Sequence, residues 1–327
     1  MKQSQAKKRD NAMTNKILMG LIALVLGLLF LEILIVHSKN EQQKNASNQV
    51  QTARIMANGD LLYHDGLYMS ALQADGSYDF TENFTYVKPW LKQADLVLGD
   101  FEGTINPDYP LSGYPLFNAP QSVTAAIKDA GYDVMDLAHN HILDSGLEGA
   151  FTTADAFKEV GIDPVGVYEK PVRDKAPLLI KNVNGIKVAI LSYAYGYNGL
   201  ESNLTDKEVA DHLSNLDEKR MKAEIQRAEK EADITVIMPQ MGVEYRLEPT
   251  DEQVKLYHKM IDWGADIIFG GHPHVVEPSE VVEKNGQQKL IIYSMGNFIS
   301  NQRIETMDGV DSAEWTERGV LMDVTLE

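Results

Sequence analysis

The chain has 327 residues, no cysteine, 48 acidic against 30 basic side chains, and a formal net charge of −18. The lack of thiols excludes disulfide staples, so the fold must rest on its core or on bound metal. The acidic balance excludes electrostatic binding of nucleic acid, and it repels polyanionic polymers unless a cation mediates the contact.

The first element is residues 17–36 (ILMGLIALVLGLLFLEILIV), an apolar run with Glu32 as its single charge. At about 1.5 Å per residue a helix of this length spans roughly 30 Å, the thickness of a bilayer's hydrocarbon core. A buried globular helix would be amphipathic, whereas this one is apolar all round. Ahead of it, residues 1–16 carry Lys2, Lys7, Lys8, Arg9 and Lys16 against Asp10, which predicts a cytoplasmic basic tail. A cleaved signal peptide would have a shorter apolar region, and HSKNEQQKNAS after Val36 holds no clear small-residue cleavage site. The reading is therefore a single-pass signal-anchor in the cell membrane, with the rest of the chain extracellular. The tail is +4 and Glu32 is −1, so that remainder is near −21.

Residues 37–52 are polar and read as a stalk. Asn45-Ala46-Ser47 fits a glycosylation acceptor there, a tripeptide common by chance. The ectodomain, 53–327, alternates β-type runs with helical periods. Strands are predicted at 53–57, 94–98, 133–137, 187–192, 234–238, 266–269 and 290–293. Helices are predicted at 122–130, 147–160, 217–231 and 251–263. That alternation indicates a layered α/β fold. The chain ends on a strand-like run, 319–326; a domain closing on its last strand and a longer chain cut there both fit.

Polar residues recur just after the predicted strands: Asp60, Asp100 with Glu102, Asn140 with His141, Gln240, and His272 with His274. Strand ends of an α/β sheet share one crevice, so such residues can gather from distant parts of the chain. Carboxylate, amide and imidazole donors suit Mn, Fe, Zn or Mg. Taken singly, Asp60 also reads as a turn residue, Asp100 and Glu102 as a solvated pair, and Asn140 as a helix cap. Two imidazoles around Pro273, following two glycines, are an odd choice for a plain turn.

The segments GDLLYHDG (59–66), ADLVLGDFEG (94–103), AGYDVMDLAHNHILDSG (130–146), GVEY (242–245), GADIIFGGHPHVVEP (264–278) and IIYSMGNF (291–298) resemble, in order, the signature blocks of the CapA/PgsA family. That resemblance implies a calcineurin-like metallophosphatase sandwich, two β-sheets flanked by helices, with a dinuclear divalent-metal site. It implies a role in capsule or poly-γ-glutamate synthesis or export beside polytopic membrane subunits of a synthase, acting on an acidic polymer or a phosphoester. By motif, Asp60 matches the first metal-binding aspartate, Asp100 the bridging position, Asn140 the amide ligand, His141 the adjacent substrate-facing histidine, and His272 and His274 the last two histidines. His141 and Asp100 would then be the catalytic pair, with Glu102 orienting a ligand.

The chain departs from the family pattern in four places. Gln240-Met241-Gly242 stands where relatives usually have His-Trp-Gly, so Gln240 is a weaker donor at a ligand position. Gly271-His272 replaces a doubled histidine, and His139 precedes Asn140 where asparagine is usual. Metallophosphoesterases use D-x-H at the first strand, whereas here the nearest histidine, His64, comes four residues after Asp60. His139 and His64 are accordingly read as supporting or substrate-side residues. A non-catalytic scaffold that guides polymer at the membrane surface is the rival, favoured by Gln240.

Overall fold

The computed structural model describes residues 50–327 and, ahead of them, residues 19, 27, 28 and 30–38. Two compact units divide at residue 50. In the first, the described residues 30–38 are helical, which carries helix into the first two residues assigned to the stalk. Among the described residues no helix is long and apolar enough to cross a membrane. Much of the predicted span, most of the stalk and Asn45 lie outside them.

In the second unit β1 (Ala53–Leu61), β2 (Leu96–Phe101), β3 (Val134–Asp136) and β4 (Asp163–Val165) run side by side in parallel. The chain then builds a second sheet from β5 (Leu179–Val183), β6 (Ile186–Ala194), β7 (Ile234–Gln240), β8 (Ile267–Phe269), β9 (Ser279–Lys284) and β10 (Gln287–Ile292), in the order β5-β6-β7-β8-β10-β9. It returns to the first sheet with β11 (Asn297–Ile299) and β12 (Leu321–Leu326). These pair β1 parallel and antiparallel respectively.

Side-chain alternation sorts each strand into two faces. Ile55 and Ala57, Leu96 and Leu98, and Val134 face Val188 and Ile190, Val236 and Met238, and Ile267 and Phe269 across a buried layer between the sheets. The opposite-parity residues Val97, Met135 and Phe101 pack outward against helices that include Val123–Ala130 and Gly146–Glu159. Ala189, Ile237 and Ile268 pack against the helices Glu218–Glu231 and Asp251–Trp263. The result is the expected two-sheet α/β sandwich flanked by helices.

The helices begin where local chemistry dictates. Asp217 caps the N–H groups of Lys219 and Arg220, and Thr250 with Gln253 forms a reciprocal capping box. Their ends agree with the predicted helices to within one residue. The strands run longer than predicted at the site: β1, β2 and β7 extend to Leu61, Phe101 and Gln240. Asp60, Asp100 and Gln240 are therefore in-strand residues rather than loop residues, held by ladder hydrogen bonds.

Candidate functional site

The site forms where the layer between the sheets turns from apolar to polar. One step beyond Leu98, Val134, Ile190 and Met238 on the same inward faces stand Asp100, Asp136, Ser192 and Gln240. Asp60 joins them through a register shift. Ala57 pairs with Leu98 but Asp60 with Asp100, so β1 holds one extra residue at Asn58-Gly59. A bulge of this kind re-aims the following side chain. Without it, plain alternation would send Asp60 to the outer face. A Cβ on Gly59 would sit 2.0 Å from the Gly296 carbonyl oxygen, so only glycine allows β1 and the loop before β11 this close. Asn297, Asp60, Asp100 and Asp136 thus lie in a row across four strands.

Three carboxylates in adjacent register repel one another, and all are buried. Glu102, immediately after β2, adds a fourth. Against them stands His274, whose Nδ1 lies 2.8 Å from Asp60 Oδ2, 3.1 Å from Asn297 Oδ1 and 3.9 Å from Glu102 Oε2. Asp60, Glu102 and His274 each offer a ligand atom within 4.8 Å of the other two. Burial drives the Glu102 carboxyl up to about 7, with Asp60 adding to the rise and His274 opposing it. Burial likewise raises Asp136 to about 8 against the Ser192 and Ala138 hydrogen bonds. Asp100 is raised by burial and by Asp136 and Asp60. Burial works against the charge on His274, but Glu102 and Asp60 override it and push the imidazole up to about 10.

A divalent cation fits this donor set. Asp60 Oδ1, Asp100 Oδ1 and both Glu102 oxygens are buried without a hydrogen-bond partner among the protein's groups. One imidazolium leaves Asp60, Asp100 and Glu102 undercompensated, and a buried carboxylate that keeps its charge needs an ion-pair partner, hydrogen bonds or a bound metal. Backbone space is kept open beside them: a Cβ on Gly271 would stand 3.2 Å from Asp100 Oδ2 and 3.5 Å from Asp60 Oδ1. Hard oxygen donors with one imidazole suit Mn, Fe, Zn or Mg.

The other predicted residues divide. His272 and His274 both take the left-handed backbone region, with φ of 97° and 58°. Strain of this kind in bulky residues persists where the surroundings hold it, and it gathers at functional sites. The His272 ring lies 6.1 Å from that of His274 and its Nδ1 is unpartnered. Burial, then His274, holds its pKa down to about 3. Asn140 and Gln240 bond each other, at 2.7 Å from the Asn140 backbone N–H to Gln240 Oε1 and 3.1 Å from Gln240 Nε2 to Asn140 Oδ1. His141 Nδ1 is 2.7 Å from Asp144 Oδ2, which also accepts the Phe117 N–H at 2.6 Å. His139 is fully buried against the Gly103 amide, 3.5 Å from Nε2, and outside the three-residue group. His64 is also outside it, its Nδ1 3.3 Å from the Leu62 carbonyl and its ring edge-on to Phe117.

A cleft of about 700 Å³ opens beside the centre, lined by Asn140, His141, Asp144 and His274 among others. Asp136, Asp144, Asn297 and Tyr245 also stand at the site, without a ligand motif that marks them in the sequence. Asp144 stands three residues after His141, a spacing that lets the two side chains meet on one turn, and Asn297 lies in the IIYSMGNF segment. Asp136 carried no signal beyond being an acid inside a strand.

Comparison with known proteins places this architecture. A family described as "Bacterial capsule synthesis protein PGA_cap" matches residues 54–302. The capsule biosynthesis protein CapA of Bacillus anthracis is 34% identical over 228 residues, covering 67% of this chain and 54% of that protein. The chain thus spans about half the length of that relative. The PGA biosynthesis protein CapA of Bacillus subtilis is 30% identical over 298 residues, covering 90% and 75%. Among solved structures, the Haemophilus influenzae NAD nucleotidase overlays with a TM-score of 0.44 at 13% identity, covering 84% of this chain and 47% of that one, too loose a likeness to bear on activity. With the family matched across nearly all of its two-sheet unit, this chain belongs to the bacterial capsule synthesis protein family PGA_cap.

Proposed function

We propose that this chain is a membrane-anchored, CapA/PgsA-like protein of capsule or poly-γ-glutamate synthesis or export, with a metal-dependent hydrolase or transferase site. The observation that carries the catalytic reading is the buried Asp60–Glu102–His274 group with its unpartnered oxygens. A pure scaffold has no reason to bury three neighbouring acids, Asp60, Asp100 and Glu102, with oxygens left unpartnered. Relatives named for capsule and PGA biosynthesis support the process. Residues 17–36 would anchor the chain beside polytopic synthase subunits, with the sandwich outside.

A bound divalent ion would supply Lewis-acid polarisation of a phosphoryl or acyl oxygen and activation of water. Asp60, Glu102 and His274 would hold it, with Asp100 at its flank. The Asp144 contact engages the His141 ring at Nδ1, and Nε2 of this cleft-lining residue would be the atom left to hold or move a proton. The substrate link would be a phosphoester or an amide of the polymer under assembly.

A polymer-guiding, non-catalytic role is the second reading. The Asn140–Gln240 pair favours it, because each amide occupies the other in place of a second ion. Metal analysis of the full-length chain, with phosphodiesterase and amidase assays under Mn, Fe, Zn and Mg, separates the two. Bound ion with turnover lost in His141→Ala supports catalysis. Bound or absent ion with no turnover on any polymer link sinks it and leaves the guide. Loss of surface polymer on deleting the gene is expected under both, and unchanged polymer would count against the process itself.

A further inference from the structure

Asn297 opens β11 beside Asp60, its partner in the register with β1, and is 5% exposed. The backbone is pressed close around it. A Cβ on Gly319 would stand 2.1 Å from the Asn297 carbonyl oxygen, so only glycine lets the chain before β12 pass there.

The orientation of its side chain is settled by its bonds. Nδ2 donates to Gln302 Oε1 at 2.9 Å and to the Thr316 carbonyl at 3.0 Å, which uses both amide protons. Oδ1 is therefore the atom turned to the centre, 3.1 Å from His274 Nδ1. Gln302 is tied in turn, its Nε2 donating to the Tyr245 hydroxyl at 3.3 Å. Tyr245 takes a φ of 64°, costly for an aromatic residue, and is held there by its N–H to the Pro273 carbonyl at 2.8 Å and by the Ser312 hydroxyl to its own carbonyl at 2.6 Å. Its ring stacks on His274, with centres 5.9 Å apart. The contacts close into a loop, His274–Asn297–Gln302–Tyr245, that holds the Asn297 oxygen in place.

Four donors meet at this point. His274 Nδ1 stands 2.8 Å from Asp60 Oδ2, 3.1 Å from Asn297 Oδ1 and 3.9 Å from Glu102 Oε2. Bonds of about 2.0–2.2 Å to a shared ion put neighbouring donors roughly 3–4 Å apart. Asp60 Oδ2 and Asn297 Oδ1 are both acceptors, so the Nδ1 between them carries the proton they share. A divalent cation that displaces that proton meets imidazole, carboxylate and amide oxygen together. An amide also suits the end of the row Asn297, Asp60, Asp100, Asp136. It adds a donor next to Asp60 without adding a further negative charge to carboxylates that already repel.

We infer that Asn297 Oδ1 is a ligand of the same ion, making Asp60, Glu102, His274 and Asn297 a site of three oxygens and one nitrogen. Such a set belongs to a hard ion such as Mn or Mg. The inference rests on the proposed metal site, since it names a further ligand of it.

The test is Mn binding to the full-length chain, read by calorimetry and, for the water held by the bound ion, by water-proton relaxation. Asn297→Ala is expected to weaken Mn at least about tenfold and to add a water to the ion, because solvent takes the place of the lost oxygen. Asn297→Asp keeps an oxygen there and should bind Mn more tightly at wild-type hydration. Weaker binding in Asn297→Ala without added water would make Asn297 a brace acting through His274, and overturns the inference. A measurement on the wild type covers the case in which Asn297→Ala does not fold. With asparagine isotopically labelled at its carboxamide carbon, electron–nuclear double resonance of the Mn-loaded chain should show a strongly coupled carbon that Asn297→Asp removes. Absence of that coupling, or its survival in Asn297→Asp, overturns the inference and spares the metal reading. A wild-type chain that takes up no Mn overturns both.

Discussion

The Gln240 carboxamide closes on Asn140 at both ends, its oxygen accepting the Asn140 backbone N–H at 2.7 Å and its nitrogen donating to the Asn140 side-chain oxygen at 3.1 Å. Asn140 Nδ2 in turn donates to Asn198 Oδ1 at 3.2 Å. Both amides are buried, so the two-sheet seam is locked at the position where the resemblance places a ligand pair.

Gln240→His should release that lock. An imidazole is a stronger donor for transition ions, and Asn140 Oδ1 is freed beside it. The variant is expected to bind a second Mn per chain in calorimetric titration. The metal-free form should be less stable by about 1–3 kcal/mol, the cost of breaking a buried hydrogen-bonded pair. A variant with unchanged stoichiometry would place the second-ion limit elsewhere.

Glu102→Gln should separate the metal's effect from the fold's. In metal-free protein at pH 8 the wild-type carboxyl, raised to about 7, is ionised among other buried acids. Removing its charge should raise the melting temperature. The same change should weaken Mn binding at least about tenfold, so the Mn-induced rise seen in the wild type, about 2.7 kcal/mol at a hundredfold excess over Kd, shrinks or vanishes. Destabilisation without loss of Mn binding would remove Glu102 from the ligand set.

Glu277 provides a pH signature away from that centre. It is buried, its Oε1 has no partner, and Gln253 Nε2 donates to its other oxygen at 2.8 Å. Burial raises its pKa from 4.5 to about 7, with Gln253 opposing. A folded-state pKa above the unfolded one means protons bind the folded form more tightly. The stability it contributes is present below pH 4.5 and is lost as pH rises through 7. Urea titrations at pH 5 and pH 8 should show a drop of about 1–3 kcal/mol attributable to this residue, absent in Glu277→Gln. Equal drops in both proteins would show that the carboxyl is ordinary.

Membrane topology is testable without the structure. Protease added to intact cells should remove residues beyond about 38 and leave a tag on residues 1–16 protected, as a 17–36 span with a basic cytoplasmic flank requires. Protection of the sandwich would place the chain on the other side.

Much of this protein was legible in its sequence because the signals are local. Apolar runs of Val, Ile and Leu mark β6, β7 and β8, and a Thr or Asp cap opens the helices Glu218–Glu231 and Asp251–Trp263. The family blocks single out Asp60, Asp100, Asn140, His141, His272 and His274 by residue type and order. Which face each residue takes was not local. Alternation of period two assigns Asp60 outward until the bulge at Asn58-Gly59 resets the register, and that bulge depends on how closely β11's loop approaches. Glu102 looked like an orienting residue, yet its carboxylate stands within 4.8 Å of Asp60 and His274, because β2 ends beside β1 and the His272–His274 turn folds back over both. Gln240 and Asn140, one hundred residues apart, meet only because the two sheets pack inner face to inner face. Hydropathy and capping are written in neighbouring residues, whereas register shifts and contacts across the sheet seam are settled by the packing of the whole domain.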